Sequence, residues 1–246
     1  MCHQCGNPNA THLPAYSRRN FLKFGTAAAL GMAISRSILA AGGPPPKPQN
    51  VLTPDEALKR LKQGNKRYVS GVMKRHDFAA ERAALAGGQN PFAGILSCAD
   101  SRIAPEYAFD SGRGDLFVVR VAGNFADEDG IASFEYAVQF LGTPLLVVLG
   151  HEKCGAVEAA VKTEKGDAEL PGHLPALVKK IRPAVYTAMN LPGDLLDNAI
   201  RENIKQTVEN LKTATPVISK AVEENKIRVV GAIYKLENGQ VEWLES

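Results

Sequence analysis

Two short stretches hold the residues best suited to chemistry: Ser97-Cys98-Ala99-Asp100-Ser101-Arg102 and Gly150-His151-Glu152-Lys153-Cys154-Gly155. Cys98, His151 and Cys154 offer two thiolates and an imidazole, with the Asp100 carboxylate close by in sequence. Thiolate sulfur selects zinc over magnesium or calcium, and zinc accepts a tetrahedral mixed shell. Three firm ligands leave a fourth position for water, the arrangement of a catalytic zinc, whereas a structural site is closed by four. Asp100 is the alternate candidate for that fourth place. A His-x-x-Cys pair alone is a weak signal; joined to Cys-x-Asp-Ser-Arg after a second strand it becomes a specific one.

Each stretch follows an apolar run, Pro91 to Leu96 and Leu145 to Leu149. Neither run alternates strictly, as expected of strands covered on both faces of a parallel sheet. Ligand crevices in open α/β sheets lie at the carboxyl ends of the strands, so neighbouring strands would bring Cys98 and His151 together. Thr53-Pro54-Asp55-Glu56 reads as a capped helix start, with the helix running to about Gly71. A second helix is expected at about Phe78 to Ala86, a short one from Pro105, and another from Ile131 to the Gly142 stop. Leu116 to Val121 reads as a strand. Helical patterns follow at Gly155 to Lys162, Ala176 to Met189, Leu195 to Leu211 and Val217 to Glu224. Ile227 to Tyr234 is a strand, and Glu237-Asn238-Gly239 a hairpin turn into the last one. The fold class is α/β: a mostly parallel sheet with one antiparallel edge strand, flanked by helices.

On these motifs the sequence resembles the β-class carbonic anhydrases, whose pattern is Cys-x-Asp-Ser-Arg followed some fifty residues later by His-x-x-Cys-Gly; His151 lies 53 positions after Cys98. The likeness runs from about residue 51 to the C-terminus. It implies reversible hydration of carbon dioxide to bicarbonate and a proton, by attack of a zinc-bound hydroxide, with one zinc per chain. It implies that Asp100 orients the nucleophile and Arg102 holds Asp100 by a bidentate pair, and that Gln89, Phe117, Ala122, Tyr136 and Gly155 line the substrate pocket. It also implies a homodimer or homotetramer in which Gln89, Phe117 and Tyr136 reach the site partly from the adjacent subunit. Relatives with an allosteric bicarbonate pocket carry Trp three residues before the first Cys ligand; Ile95 stands there, which implies the other type, with Asp100 off the metal. Ala99 and Ala122 are small where relatives often carry Ser and Val, which leaves hydrolysis of carbonyl sulfide or carbon disulfide on the same fold as an alternative. A non-catalytic zinc protein is a further one. A thiol oxidoreductase is the third reading, and it is disfavoured because Cys98 and Cys154 lack the local Cys-x-x-Cys spacing of redox helices.

The 246 residues are 45% hydrophobic and 22% charged, enough for one sizeable core. The formal charge of +3 rests on Arg18, Arg19, Lys23 and Arg36; without that acid-free segment the chain carries −1, and nothing points to nucleic acid. Ser17-Arg18-Arg19-Asn20-Phe21-Leu22-Lys23 and the apolar stretch after it resemble a twin-arginine export signal. The stretch is too short for a permanent membrane anchor. The expected division is a signal peptide at 1–41, a Pro/Gly-rich linker at 42–50 and a catalytic domain at 51–246, with export to the periplasm by the twin-arginine machinery. That route carries folded cargo, so metal would be loaded before export. Cys2 and Cys5 lie upstream of the signal and lack a strand-helix context.

Overall fold

The computed structural model describes residues 52–244. The twin-arginine segment, the linker and Cys2 and Cys5 lie outside the described residues. In chain order the elements are α1 (Pro54–Val69), α2 (Phe78–Leu85), β1 (Ala93–Ser97), α3 (Pro105–Ala108), β2 (Leu116–Arg120), α4 (Glu128–Leu141), β3 (Leu145–His151), α5 (Gly155–Glu164), α6 (Leu174–Ala188), α7 (Leu195–Lys212), α8 (Val217–Glu223), β4 (Arg228–Tyr234) and β5 (Val241–Trp243).

Local chemistry sets the element ends. Thr53 caps α1 through a full capping box, its side chain accepting from Glu56 N–H while Glu56 reaches back to the Thr53 N–H. Helix α4 starts three residues earlier than the apolar periodicity marks, because the Asp127 carboxylate accepts the Gly130 N–H and Glu128 and Asp129 favour the positive end of the helix. It stops at Gly142, in the left-handed region at φ 67°.

The sheet order is β2-β1-β3-β4-β5. The first three pairings are parallel and β4–β5 is antiparallel. Consecutive residues of the central strands alternate between two apolar clusters. Leu96, Leu146, Val148 and Val229 pack under the long C-terminal helices, while Ile95, Val147, Leu149 and Val230 pack with α1. Both faces are therefore dry, and β1 and β3 are buried along their whole length. Edge strand β2 is only half-buried from Phe117 to Val119. Helix α7 presses on the sheet through Ile204, directly over Gly150 and Gly231. A Cβ on Gly150 would lie 2.5 Å from Ile204 Cδ1, and one on Gly231 would lie 2.7 Å from its Cγ2. This close approach carries α7 up to the strand that ends in His151. Among the described residues no helix is long and apolar enough to cross a membrane.

Candidate metal centre

Ser97, the last residue of β1, pairs in register with Leu149 of β3, so Cys98 and His151 leave adjacent strands at the same sheet edge. His151 closes β3 itself. Two residues later the chain reverses through Lys153 at φ 51°, and Cys154 becomes the N-cap of α5. The three ligand atoms lie within 4.8 Å of one another, with 3.9 Å between the two sulfurs, and all three residues are buried.

The His151 Nδ1 is 2.8 Å from the Glu152 carbonyl oxygen. A carbonyl only accepts, so Nδ1 carries the proton and Nε2 presents a lone pair. That Nε2 is buried and finds no hydrogen-bond partner among the described residues. An unsatisfied buried acceptor facing two thiols is costly without a cation, so this donor set fits a soft divalent metal.

The surroundings tune the sulfurs. The Gly123 N–H donates to Cys98 Sγ at 3.3 Å. Contact with the Cys154 sulfur holds the Cys98 thiol well below its ordinary range, against the opposing effect of burial and with help from His151 and the Gly123 N–H. Cys154 is pushed up by that same contact and by burial, with the Val157 and Ala156 N–H groups at the start of α5 acting the other way. Metal binding requires both sulfurs as thiolates, so a bound cation would displace the remaining thiol proton.

Asp100 is turned to Arg102. Its Oδ1 accepts from Arg102 Nε and from the Arg102 backbone N–H, both at 2.9 Å, and Oδ2 accepts from Nη2 at 2.7 Å. Those bonds hold the carboxyl far below the usual carboxylate range. Oδ2 still lies 3.9 Å from His151 Nε2, beside the ligand set.

The pocket candidates are placed less uniformly. Ala122 is half-buried and directly precedes Gly123. Phe117 and Tyr136 pack tilted at 34°, with ring centroids 6.4 Å apart, and Tyr136 meets Phe140 at 5.3 Å. Tyr136 and Phe140 are 47% and 52% exposed, and Gln89 is exposed. Gly155 is the first residue of α5, and among the described residues a Cβ there would meet nothing within 4 Å, so no close approach among them demands glycine at that position.

The structure adds supports that the sequence reading left without a role. Arg120 donates to the carbonyls of Cys98 at 3.1 Å and Asp100 at 2.7 Å, bracing the first motif from β2. Buried Asn203 of α7 donates to Gly123 O at 2.8 Å. The Gly123-Asn124 pair, a turn signal, was the one visible hint of this support.

Residues 93–241 match the family model described as carbonic anhydrase. The chain is 40% identical over 189 residues to carbonic anhydrase 2 of Mycobacterium tuberculosis, covering 76% of this chain and 91% of that protein. Its fold resembles a Coccomyxa β-carbonic anhydrase solved in complex with acetazolamide, with TM-score 0.60, 25% identity, and coverage of 76% of this chain and 86% of that one. It also resembles one of two tetrameric β-carbonic anhydrases from Sordaria macrospora, with TM-score 0.62, 24% identity, and coverage of 70% and 89%. Two cysteines and a histidine gathered at the edge of a mostly parallel sheet, in a chain so closely related to these proteins, lead to one assignment: it belongs to the β-class carbonic anhydrases and is an enzyme of carbon dioxide hydration.

Proposed function

We propose that the metal is zinc, one per chain, held by Cys98, His151 and Cys154, with Asp100 and Arg102 serving catalysis beside it. The observation that carries this reading is the orphaned, buried His151 Nε2 facing two buried sulfurs. When bound, zinc supplies the Lewis acidity that makes a nucleophile available from water near neutral pH.

The chain's own groups do the rest. Asp100, kept ionised by Arg102, accepts a hydrogen bond from the attacking water and aims its lone pair at the substrate carbon. A proton first leaves this water to solvent; the remaining hydroxide oxygen then bonds to that carbon while one C=O electron pair moves onto oxygen, giving bicarbonate. Phe117, Ala122 and Tyr136 supply a dry wall for the apolar substrate, while Gln89 and the Gly155 N–H hold the product oxygens. Arg120 keeps the Cys98–Asp100 segment in place through its two carbonyls.

The enzyme works as a homodimer or homotetramer. Supporting this, the exposed rings of Tyr136 and Phe140 meet half-buried Phe117 in one apolar cluster, the kind of surface that a subunit contact buries. The Sordaria macrospora relatives are tetrameric. Residues 17–23 favour export by the twin-arginine route, so the working compartment is the periplasm.

Metal analysis with a stopped-flow hydration assay tests this proposal. Purified protein should carry about one zinc per chain, and Cys98→Ser, His151→Ala and Cys154→Ser should each lose metal and activity together. Full activity in a zinc-free sample would end the reading. Carbonyl sulfide and carbon disulfide, assayed alongside, should be poor substrates. Arg18→Lys with Arg19→Lys should leave active enzyme in the cytoplasm; unchanged periplasmic activity would refute the export route.

A further inference from the structure

We propose that Glu152 is a positioning residue for the metal ligand His151, acting through the peptide carbonyl that fixes the imidazole tautomer; the inference rests on the reading of Cys98, His151 and Cys154 as zinc ligands.

Glu152 is fastened at three points. Its N–H donates to Tyr234 O at 3.2 Å, its Oε2 accepts the Leu236 N–H at 3.2 Å, and its Oε1 pairs with Lys235 Nζ at 3.1 Å. All three partners lie at the end of β4 or just beyond it, where Tyr234 is the register partner of His151. Lys235 also contacts Glu242 Oε2 at 3.1 Å, and Glu242 takes Arg201 of α7 at 2.7 Å, so the clip is tied to the last strand and to the helix over the sheet.

The clip leaves one group of Glu152 to be directed, its carbonyl, and that carbonyl receives the His151 Nδ1–H at 2.8 Å. The next residue, Lys153, sits at φ 51°, a conformation that side-chain-bearing residues adopt only when their surroundings impose it. The turn between ligand and ligand is thus strained, and the Glu152 side chain is its anchor to the rest of the sheet. With that anchor removed, the 152–153 peptide is free to rotate and the imidazole loses the acceptor that commits its proton to Nδ1 and its lone pair to Nε2.

The test measures zinc affinity of the full chain by competition with a chromophoric chelator, and follows the His151 ring by ¹⁵N-histidine NMR of the zinc-loaded protein. Glu152→Ala is expected to raise the zinc Kd by about 10-fold or more, the usual effect of losing an outer support of a ligand. It should also lose the slowly exchanging Nδ1–H resonance, while the metal-free variant melts close to the wild type. Glu152→Gln keeps an oxygen for the Leu236 N–H but loses the ion pair with Lys235, and should fall between the wild type and the alanine variant in both readouts. Should the alanine variant not fold, Lys235→Met, which leaves Glu152 in place without its cation, must still speed Nδ1–H exchange. Wild-type affinity in Glu152→Ala, or lost affinity with the Nδ1–H resonance intact, overturns the inference while leaving the metal site standing. A wild-type protein that takes up no zinc overturns the metal-site reading and this inference with it.

Discussion

Gly123 is the point where packing and ligand chemistry meet, and Gly123→Ala is the perturbation whose size follows most directly from the structure. Its backbone lies at φ 84°, and a Cβ there would fall 2.5 Å from Ile181 Cδ1 and 3.3 Å from Ala156 Cβ. Holding a side-chain-bearing residue in the left-handed region costs about 1–2 kcal/mol. Overpacking the Ile181 contact costs about 1–3 kcal/mol more. The sum, roughly 2–5 kcal/mol, corresponds to a fall in melting temperature of about 5–15 °C for a domain of this size. Ile181 is fully buried, so its end atom has no open space into which to swing. The turn is expected to give instead, drawing the Gly123 N–H away from Cys98 Sγ and weakening metal retention together with the fold. Thermal unfolding of metal-free and zinc-loaded protein separates the two losses. Ile181→Val removes the clashing Cδ1, so in a double-mutant cycle the pair should couple favourably by about 1–2 kcal/mol, while the backbone cost stays. A single variant melting with the wild type, or an Ile181→Val partner that restores nothing, would refute this reasoning.

Further outcomes follow from the Asp100–Arg102 pair and from Ile95. Arg102→Ala frees the Asp100 carboxylate, whose Oδ2 already lies 3.9 Å from His151 Nε2, to move onto the metal; hydration should fall by about 100-fold or more with zinc content unchanged, and loss of zinc instead would contradict the assigned role. Because Arg102 lowers the Asp100 pKa, this group's contribution is present above the unfolded carboxylate pKa of about 4 and is lost only as pH falls through the still lower folded value. The rate profile between about pH 5 and 9 should therefore show one ionisation, near 7, belonging to water; a steep cooperative loss below pH 8 would count against it. Bicarbonate should act only as product, since buried, aliphatic Ile95 offers no donor to an anion; sigmoidal inhibition by bicarbonate would count against that.

What the sequence disclosed was what depends on neighbours in the chain. The unbroken apolar runs at 91–96 and 145–149 mark strands buried on both faces, and Cys98 and His151 follow from their ends once those strands are adjacent. The Asp100–Arg102 pair spans two residues and was readable for the same reason. The supports were not, because each joins distant segments: Asn203 to Gly123 across 80 positions, Leu236 to Glu152 across 84. An asparagine in an amphipathic helix, or a glutamate after a histidine, looks like an ordinary solvated residue until the fold chooses its partner. Gln89 and Tyr136 show the complementary limit: their expected place is beside a neighbouring subunit, and in the single chain both are exposed.

The central claim is that two cysteines and one histidine hold the metal while Asp100 stays off it. X-ray absorption at the zinc edge, on the loaded enzyme and on Asp100→Asn at mildly acidic and neutral pH, tests it most directly. The account requires two sulfur ligands at about 2.3 Å, one imidazole nitrogen at about 2.0–2.1 Å and one further light atom, in a spectrum that the substitution leaves unchanged at both pH values. A shell without sulfur, or a light-atom shell that changes when Asp100 loses its charge, would contradict it.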